Sequence, residues 1–424
     1  MNRTCLRLLL LEDDPATSEK LQDSLAGFSD RIQVVSVTNA RDAISVLEQK
    51  LFHLVSLDQR IPLEDSAVLY TTDDRHLGPV IETFKHRQPI SVGVVLTAFA
   101  SIAYAHETGK LGLQYLQKEP DAIGKWLKQL KELHRKYIPD VLFNRGAERL
   151  PNALARAIAN LRDQEHPRMK LLAGRDLLEV ALQLLTCVCG SVAISDSATH
   201  REGIDAIQEL FTLTPGRNVD WSAALRRVFE CCTRVKDQVS LAAITEFRRF
   251  MEGGSMNVWI ALDELHRLRN ELAHDRLQKE QTYRAIYEEH LPNIQGIIEA
   301  CFLLAVHPII GNLQLRHVAS GPPLYRVEDY RGDLLNPRPL DVRCDVDNAT
   351  GDVAWALMCS PGTAEWFFPL APLVKTVVHH ESQQTGLYIL ESVKKCEYRE
   401  LSTGRRHAVT TEKEKQQIRD FFRA

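Results

Sequence analysis

Residues 55–62 of this 424-residue chain are VSLDQRIP, a short apolar run that ends in Asp58, four residues before Pro62. A run of this kind predicts a strand that is buried on both faces, as in a parallel sheet. In open α/β sheets, the carboxyl ends of such strands deliver side chains to the crevice where ligands bind. We therefore predict that Asp58 lies at a ligand-binding edge, where an aspartate can serve as a nucleophile if other groups assist it.

A second apolar run, from Leu8 to Leu11, ends in three acids, and Pro15 follows them at a position where a helix can begin. Carboxylates that meet at one strand end repel each other unless a cation lies among them. Sites built from carboxylate oxygens suit Mg²⁺, which also accepts a phosphate oxygen as a ligand. The pattern therefore predicts a magnesium site that includes Glu12 and Asp13.

Strand-like and helix-like segments alternate through residues 1–140. The strand-like segments are Leu8 to Leu11, Ile32 to Val37, Leu54 to Leu57, Gly93 to Leu96 and Gly112 to Leu116. This alternation predicts a doubly wound parallel sheet of five strands with helices on both faces.

Four pieces of this region resemble the receiver domain of bacterial response regulators: LLLLEDDPA, LVSLDQRIP, VVLTAFAS and YLQKEP. The resemblance implies a flavodoxin-like fold in which Glu12, Asp13 and Asp58 hold Mg²⁺ and Asp58 accepts a phosphoryl group. A histidine kinase or a phosphotransfer protein would supply that group. Phosphoryl transfer needs positioning and charge neutralisation more than covalent machinery, and these residue types provide both.

The same resemblance assigns three further residues. Thr97 and Lys118 would bind the phosphoryl oxygens, and Tyr115 would move with Thr97 as the switch. The alternatives are a receiver that keeps the fold without the chemistry, and Tyr115 as an ordinary aromatic residue at the sheet edge.

Residues 141–310 are rich in helix formers, with glycine and proline between the helix-like stretches, which predicts an all-α bundle. Within it, the sequence LHRLRNELAHD places Asn270 and His274 four residues apart on one helix face, close to Arg269. The motif resembles that of HEPN domains, helical modules many of which are metal-independent ribonucleases and generally work as dimers. The resemblance implies His274 as general acid or base, Arg269 as the group that stabilises phosphate charge, and Asn270 as the group that orients them.

Two alternatives stay open for the helical region. Members of such a family without catalysis bind nucleotides or dimerise, and an Arg and His near a helix end also occur by coincidence. The candidate enzyme is therefore a ribonuclease, and the alternative is a regulator whose phosphorylation controls protein binding or dimerisation.

Residues 311–424 alternate β formers with turn sequences such as SGPP, NPRP and STGRR, which predicts a small antiparallel sheet or barrel closed by a helix over 412–422. Tyr388 and Tyr398 could pack across strands, or they could stack on the bases of a single-stranded nucleic acid. The predicted division is thus a receiver in 1–140, a HEPN-like helical domain in 141–310 and a β-rich domain in 311–424.

The charge balance argues against a DNA-binding output. The chain has 52 Lys and Arg against 56 Asp and Glu, a net charge of −4, and none of the three regions has an excess of basic residues. The nine cysteines form no CxxC pair, so we expect reduced thiols and not zinc ligands or disulfides. No membrane span or leader is apparent, so we expect a cytoplasmic response regulator that binds Mg²⁺, with RNA as a candidate ligand and a homodimer as the expected assembly.

Overall fold

A computed structural model describes most of the chain. The described residues are 5–28, 31–64, 74–98, 102–212, 220–273, 280–317, 323–332, 337–343, 355–358, 366–378 and 385–423. The chain forms two compact units, and the helical region contributes to both. The first unit consists of Met1–Arg145, Arg249–Ala261 and Leu291–Ala300, and the second of Gly146–Arg248, Leu262–His290 and Cys301–Ala424. The predicted domain boundaries at residues 140 and 310 stay predictions.

A parallel sheet of five strands forms the centre of the first unit. The strands are β1 (Leu6–Leu11), β2 (Ile32–Val37), β3 (Leu54–Asp58), β4 (Val92–Thr97) and β5 (Leu113–Gln117). Their spatial order is β2-β1-β3-β4-β5, and every adjacent pair is parallel. This is the flavodoxin-like order of a doubly wound sheet, so the predicted fold class is confirmed.

Helices cover both faces of this sheet. They are α1 (Pro15–Ser24), α2 (Ala40–Gln49), α3 (Leu77–Arg87), α4 (Ile102–Lys110) and α5 (Ala122–Lys136). On one face, Leu57 of β3 belongs to a buried apolar cluster with residues of α2 and α3. On the other face, the buried Trp126 of α5 donates from Nε1 to Ser56 Oγ at 2.8 Å. All five residues of β3 are buried, as expected for a central strand that is covered on both sides.

Helices continue through residue 306. A π-helical stretch, Tyr137–Phe143, follows α5 and precedes α6 (Asn144–Arg149), α7 (Asn152–Asp163), α8 (Pro167–Ser195), α9 (His200–Thr212), α10 (Trp221–Cys232), α11 (Gln238–Glu252), α12 (Val258–Ala273), α13 (Glu280–Cys301) and α14 (Leu303–Val306). The predicted all-α character of this region is confirmed.

The long helix α8 is the one described helix whose length and apolar composition would allow it to cross a membrane, and 89% of its most apolar window is buried inside the fold. It packs within the second unit against α7, α9 and α10. Burial on this scale is the property of a core helix in a helical bundle.

Two antiparallel sheets follow in the second unit. The first has the order β10-β9-β6-β7-β8 and the second the order β11-β12-β13-β14. The strands are β6 (Ile309–His317), β7 (Leu324–Asp329), β8 (Arg338–Arg343), β9 (Trp355–Met358), β10 (Trp366–Pro369), β11 (Val374–Val378), β12 (Thr385–Ser392), β13 (Glu397–Glu400) and β14 (Arg406–Ala408), and α15 (Glu412–Phe421) comes last. The predicted antiparallel β region and its closing helix are confirmed, and the described residues of the region form two sheets where a single small sheet or barrel was predicted.

Tyr388 and Tyr398 lie on neighbouring strands of the second antiparallel sheet. Both rings are almost completely buried, and the Tyr398 hydroxyl donates to the carbonyl of Pro372 at 2.8 Å. Neither ring presents a face to solvent, so the interpretation as base-stacking residues is wrong. They are core residues of the β region.

Candidate functional site: an acidic cluster at the strand ends

Three carboxylates meet where β1 and β3 end. Leu11, the last residue of β1, is paired with Leu57, so Glu12 and Asp58 follow on adjacent parallel strands at the same edge. The side chains of Glu12, Asp13 and Asp58 each offer an oxygen, and these atoms all lie within 4.8 Å of one another. Glu12 is 1% exposed and Asp58 7% exposed, whereas Asp13 is partly exposed.

Lys118 links two of these carboxylates. Its ammonium nitrogen lies 2.8 Å from Asp58 Oδ2, 2.9 Å from Glu12 Oε1 and 2.8 Å from Glu12 Oε2. The residue directly follows β5, so the side chain reaches from β5 across the carboxyl edge of the sheet. One cation therefore offsets part of the repulsion between the two buried acids.

The pKa values of this pair follow from burial and close charge. Burial, and then the charge of Asp58, raises the pKa of Glu12 to about 7, although Lys118 acts in the opposite direction. Burial opposes the ammonium form of Lys118, but Asp58 and Glu12 outweigh it and raise the pKa of that amine. Negative charge therefore exceeds positive charge at the site, because one ammonium faces more than one carboxylate.

The three carboxylates fit a hard divalent cation. The donor set consists of oxygen atoms, which is the set that Mg²⁺ takes in proteins, and the oxygens lie close enough together to share one ion. The pKa of Glu12 is raised first by burial and then by the charge of Asp58, as expected for a buried carboxyl whose negative neighbour is not fully neutralised. The cluster could therefore hold a metal ion, as the sequence predicted for Glu12, Asp13 and Asp58.

Asp14, the third acid of the run after β1, has a structural role. Its carboxylate accepts hydrogen bonds from the backbone N–H groups of Ala16 (3.3 Å) and Thr17 (3.1 Å) at the start of α1. The bond from the Thr17 side chain is the main reason that the pKa of Asp14 is lowered. Asp14 is an exposed helix cap beside the cluster.

Thr97 and Lys118 lie next to each other at the same edge. Thr97 is the last residue of β4, is fully buried, and accepts at its backbone carbonyl a 2.6 Å hydrogen bond from the Lys118 N–H. Asp58 pairs with Leu96, the residue before Thr97. The structure thus brings Asp58, Thr97 and Lys118, three of the predicted site residues, to the ends of three consecutive strands.

Tyr115 is tied to the residue that follows Asp58. Its hydroxyl donates to Gln59 Oε1 at 2.6 Å, and Gln59 is 2% exposed. No role was predicted for Gln59 from the sequence. Its position directly after a strand-end aspartate was the one available signal, but a local pattern does not reveal which residue of β5 it will meet.

The predicted helical motif is only partly described. Arg269 and Asn270 belong to α12, which ends at Ala273, but their side chains lie outside the described part of the chain. His274 lies outside the described residues altogether. The assignment of these three residues stays a prediction.

No family model matches the chain, and no curated protein matches it. Solved structures of response regulator receiver domains do match its amino-terminal region. The CheY-like receiver protein of Methanospirillum hungatei JF-1 is 19% identical, with 32% of this chain and 97% of that one covered and a TM-score of 0.26. The phosphorylated cyanobacterial phytochrome response regulator RcpA is 19% identical (32% and 94% covered, TM-score 0.25), and the receiver domain of NtrC4 from Aquifex aeolicus is 20% identical (31% and 98% covered, TM-score 0.25). These structures cover about a third of the chain and are similar to it in fold only. The chemistry of the acidic site therefore follows from the side chains of Glu12, Asp13, Asp58 and Lys118.

Proposed function

We propose that this chain is a two-component response regulator whose Asp58 accepts a phosphoryl group in a Mg²⁺-dependent reaction. The observation that carries the proposal is the position of Asp58: it ends the central strand β3, within 4.8 Å of two further carboxylates and 2.8 Å from the Lys118 ammonium. Asp58 Oδ1 accepts a long 3.4 Å hydrogen bond from the Arg60 N–H, and Oδ2 faces the Lys118 ammonium, which would neutralise part of the incoming charge.

The transfer is a displacement at phosphorus. An oxygen of the Asp58 carboxylate forms a bond to phosphorus while the P–N bond of a donor phosphohistidine breaks, and the departing imidazole takes a proton from water. Glu12, Asp13 and Asp58 would hold Mg²⁺, which supplies charge neutralisation for the phosphoryl oxygens. Lys118 would donate to one phosphoryl oxygen and the Thr97 hydroxyl to another.

Two groups connect this chemistry to the rest of the first unit. Thr97 ends β4 beside Asp58, and Tyr115 on β5 is held by Gln59, the neighbour of Asp58 in sequence. When Thr97 and Lys118 turn towards a phosphoryl group, the environment of Tyr115 changes as well. The partner that supplies the group is a histidine kinase or a phosphotransfer protein in the cytoplasm.

The test of this function is labelling with acetyl phosphate in the presence of Mg²⁺. We expect stoichiometric label on the parent protein, none on Asp58→Asn, and none on the parent when EDTA removes the metal. Asp14→Asn is the matched control, because it makes the same change from carboxylate to amide beside the cluster and keeps the helix cap. Full labelling of Asp58→Asn would contradict the assignment.

For the output we propose a HEPN-like effector in the helical region that dimerises and cleaves RNA. The support is the sequence motif at Arg269, Asn270 and His274 and the helical character of residues around it. The test is cleavage of total cellular RNA by the full chain with Mg²⁺ and beryllium fluoride. We expect cleavage by the parent and by the control His266→Ala on the same helix, and none by His274→Ala.

The second candidate for the output is a module that does not cleave RNA and whose phosphorylation controls protein binding or dimerisation. It predicts intact RNA with all three proteins, and a change of sedimentation coefficient when beryllium fluoride binds. A transcription factor ranks last, since the charge balance offers no basic surface in bulk.

A further inference from the structure

The first unit has a second end that is rich in buried charge. Because the strands are parallel, the amino ends of β1 and β3 lie at the edge opposite the acidic cluster. We call this edge the basal end; it carries Arg7 of β1 and His53, which precedes β3. Two segments from the helical region, 249–261 and 291–300, belong to the same compact unit.

Arg249 donates to the carboxyl ends of two helices of the first unit, α2 and α3. Its Nη2 donates to the carbonyl of Leu47 at 2.8 Å, to that of Arg87 at 2.7 Å and, more weakly, to that of Lys50 at 3.4 Å. Leu47 lies in the last turn of α2 and Arg87 is the last residue of α3. Carbonyls at a helix carboxyl end lack partners within the helix and carry partial negative charge, so they are suitable acceptors for the Arg249 Nη2 group.

Arg7 makes a second set of hydrogen bonds at the basal end. Its Nη1 donates to the carbonyl of Leu51 at 2.9 Å and to that of Gly253 at 2.8 Å, which joins β1 to the turn between α11 and α12. The backbone N–H of Arg7 donates to His53 Nδ1 at 2.8 Å. Since a backbone N–H can only donate, Nδ1 is the acceptor, and the ring proton is on Nε2.

That proton faces Glu299 of α13. His53 Nε2 lies 3.4 Å from Glu299 Oε1, and both side chains are fully buried. The carboxylate accepts hydrogen bonds from the N–H and the hydroxyl of Ser255, at 2.7 and 2.8 Å, and from Gln295 Nε2 at 2.8 Å. Burial opposes the charged form, but His53, Ser255 and Gln295 outweigh it, so the pKa of Glu299 lies below its ordinary value. A buried carboxylate with this many donors keeps its charge and fixes their positions.

The two segments bound at the basal end, 249–261 and 291–300, belong to helices that continue into the second unit. Helix α11 ends at Glu252, α12 begins at Val258, and α13 ends at Cys301, so each contains residues of both units. Helix α12 also carries Arg269 and Asn270 near its other end. The fully buried strand β3 connects the two edges, since it starts next to His53 and ends at Asp58.

We propose that the basal end transmits the phosphorylation of Asp58 to the helical region. The chain's own segments 249–261 and 291–300 bind there, so phosphorylation changes the contacts of α11, α12 and α13. The proposal rests on the proposed function of Asp58. The partner of this surface is the chain's own helices: Arg7 and His53 contact Gly253 and Glu299, and Arg249 of α11 donates to carbonyls at the ends of α2 and α3. Strand β3, α2 and α3 each have one end at the basal end, so a shift in any of them changes contacts of Arg249 or Glu299.

The experiment is hydrogen exchange of the full chain, read by mass spectrometry, with Mg²⁺ and beryllium fluoride present or absent. We expect peptides that cover 54–60 and 113–118 to change on addition of beryllium fluoride, and peptides from 249–261 and 291–300 to change with them. A response confined to 54–60 and 113–118 would overturn the basal connection and leave the phosphoacceptor intact. No response in any peptide would overturn the basal connection, and acetyl phosphate labelling would show whether the phosphoacceptor assignment fails with it.

Variants separate the connection from general stability. Glu299→Gln removes the buried charge and keeps the shape of the side chain. We expect about tenfold faster hydrogen exchange in residues 51–56 and 253–256. We also expect that beryllium fluoride no longer changes the exchange of 249–261, while it still changes that of 54–60. The matched control is Glu252→Gln, an exposed glutamate of the same segment, with parental behaviour. If Glu299→Gln does not fold, Ser255→Ala removes one donor from the same carboxylate, and the same changes are expected at smaller size. Parental exchange and response in both variants would refute the proposal.

Discussion

The ammonium of Lys118 lies 2.8 Å from Asp58 Oδ2 and equally close to Glu12 Oε2, so one cation serves two buried carboxylates. Removal of this cation leaves the acids without their main compensation. We expect Lys118→Gln to lower the free energy of unfolding by about 3 kcal/mol at pH 8 in EDTA, the typical cost of breaking a buried ion pair. Addition of Mg²⁺ should restore much of the loss, because the metal takes over the neutralising role.

Urea unfolding of the full chain, followed by far-UV circular dichroism, measures this effect. The matched control is Lys125→Gln, since Lys125 makes exposed ion pairs with Glu119 and Asp121 and its loss should leave the unfolding midpoint near the parental value. Equal destabilisation by both substitutions, or no response to Mg²⁺ in Lys118→Gln, would contradict the proposed electrostatics.

The titration of Glu12 gives a pH dependence of stability in the absence of metal. Its pKa rises from an ordinary 4.5 to about 7 in the folded protein, so folding takes up a proton between these values. Stability should therefore fall as the pH rises from about 4.5 to about 7 and stay level above that, with a loss on the order of 3 kcal/mol from this group.

Glu12→Gln removes the titrating group and keeps an acceptor for Lys118. We expect the difference in unfolding free energy between this variant and the parent, measured in EDTA, to grow in favour of the variant across that pH range. Glu19→Gln, at an exposed position of α1, should follow the parent at every pH. A parent whose stability rises from pH 5 to pH 7 relative to Glu12→Gln would show that the sign is wrong.

The contact of Tyr115 with Gln59 predicts a coupled pair. Tyr115→Phe removes the donor and leaves the buried Gln59 oxygen without this bond, which should cost about 1–2 kcal/mol. In Gln59→Leu the acceptor is also gone, so adding Tyr115→Phe should cost much less in that background. Chemical denaturation of the four proteins of this double-mutant cycle measures the coupling, and additive losses would mean that the hydrogen bond contributes nothing.

The sheet of the first unit was accessible from sequence because its signals are local. Strands β1, β3 and β4 are short apolar runs that must be buried on both faces, and each ends at a polar residue of the site: Glu12, Asp58 and Thr97. The identity of the strand ends thus predicted which side chains would meet. The alternation of strands and helices predicted a parallel sheet, whereas the flavodoxin-like order of its strands was implied by the resemblance to receiver domains.

The contacts of the basal end could not be predicted from the sequence in the same way. Glu299 lies in an apolar helical stretch, and nothing in its neighbourhood indicates that it will face His53, which is far away in the chain. Arg249 resembles any other basic residue near a helix end until the carbonyls of Leu47 and Arg87 are placed beside it. Contacts between segments so distant in sequence depend on packing, which local periodicity does not encode.

A single methyl group tests how the sheet positions Asp58. Gly93 of β4 pairs with Val55 of β3, and a Cβ at position 93 would lie 2.0 Å from the Val55 carbonyl oxygen. Because that atom is backbone in a central strand, the two strands must separate, and Asp58 lies three residues further along the displaced strand.

We expect Gly93→Ala to cost several kcal/mol in stability, as overpacking of a core does, and to reduce acetyl phosphate labelling. Gly124→Ala is the opposite case: nothing lies within 4 Å of its added carbon, and alanine in the interior of α5 should stabilise by up to about 1 kcal/mol with labelling unchanged. Full labelling and parental stability in Gly93→Ala would mean that the close pairing of β3 and β4 does not determine the position of the phosphoacceptor.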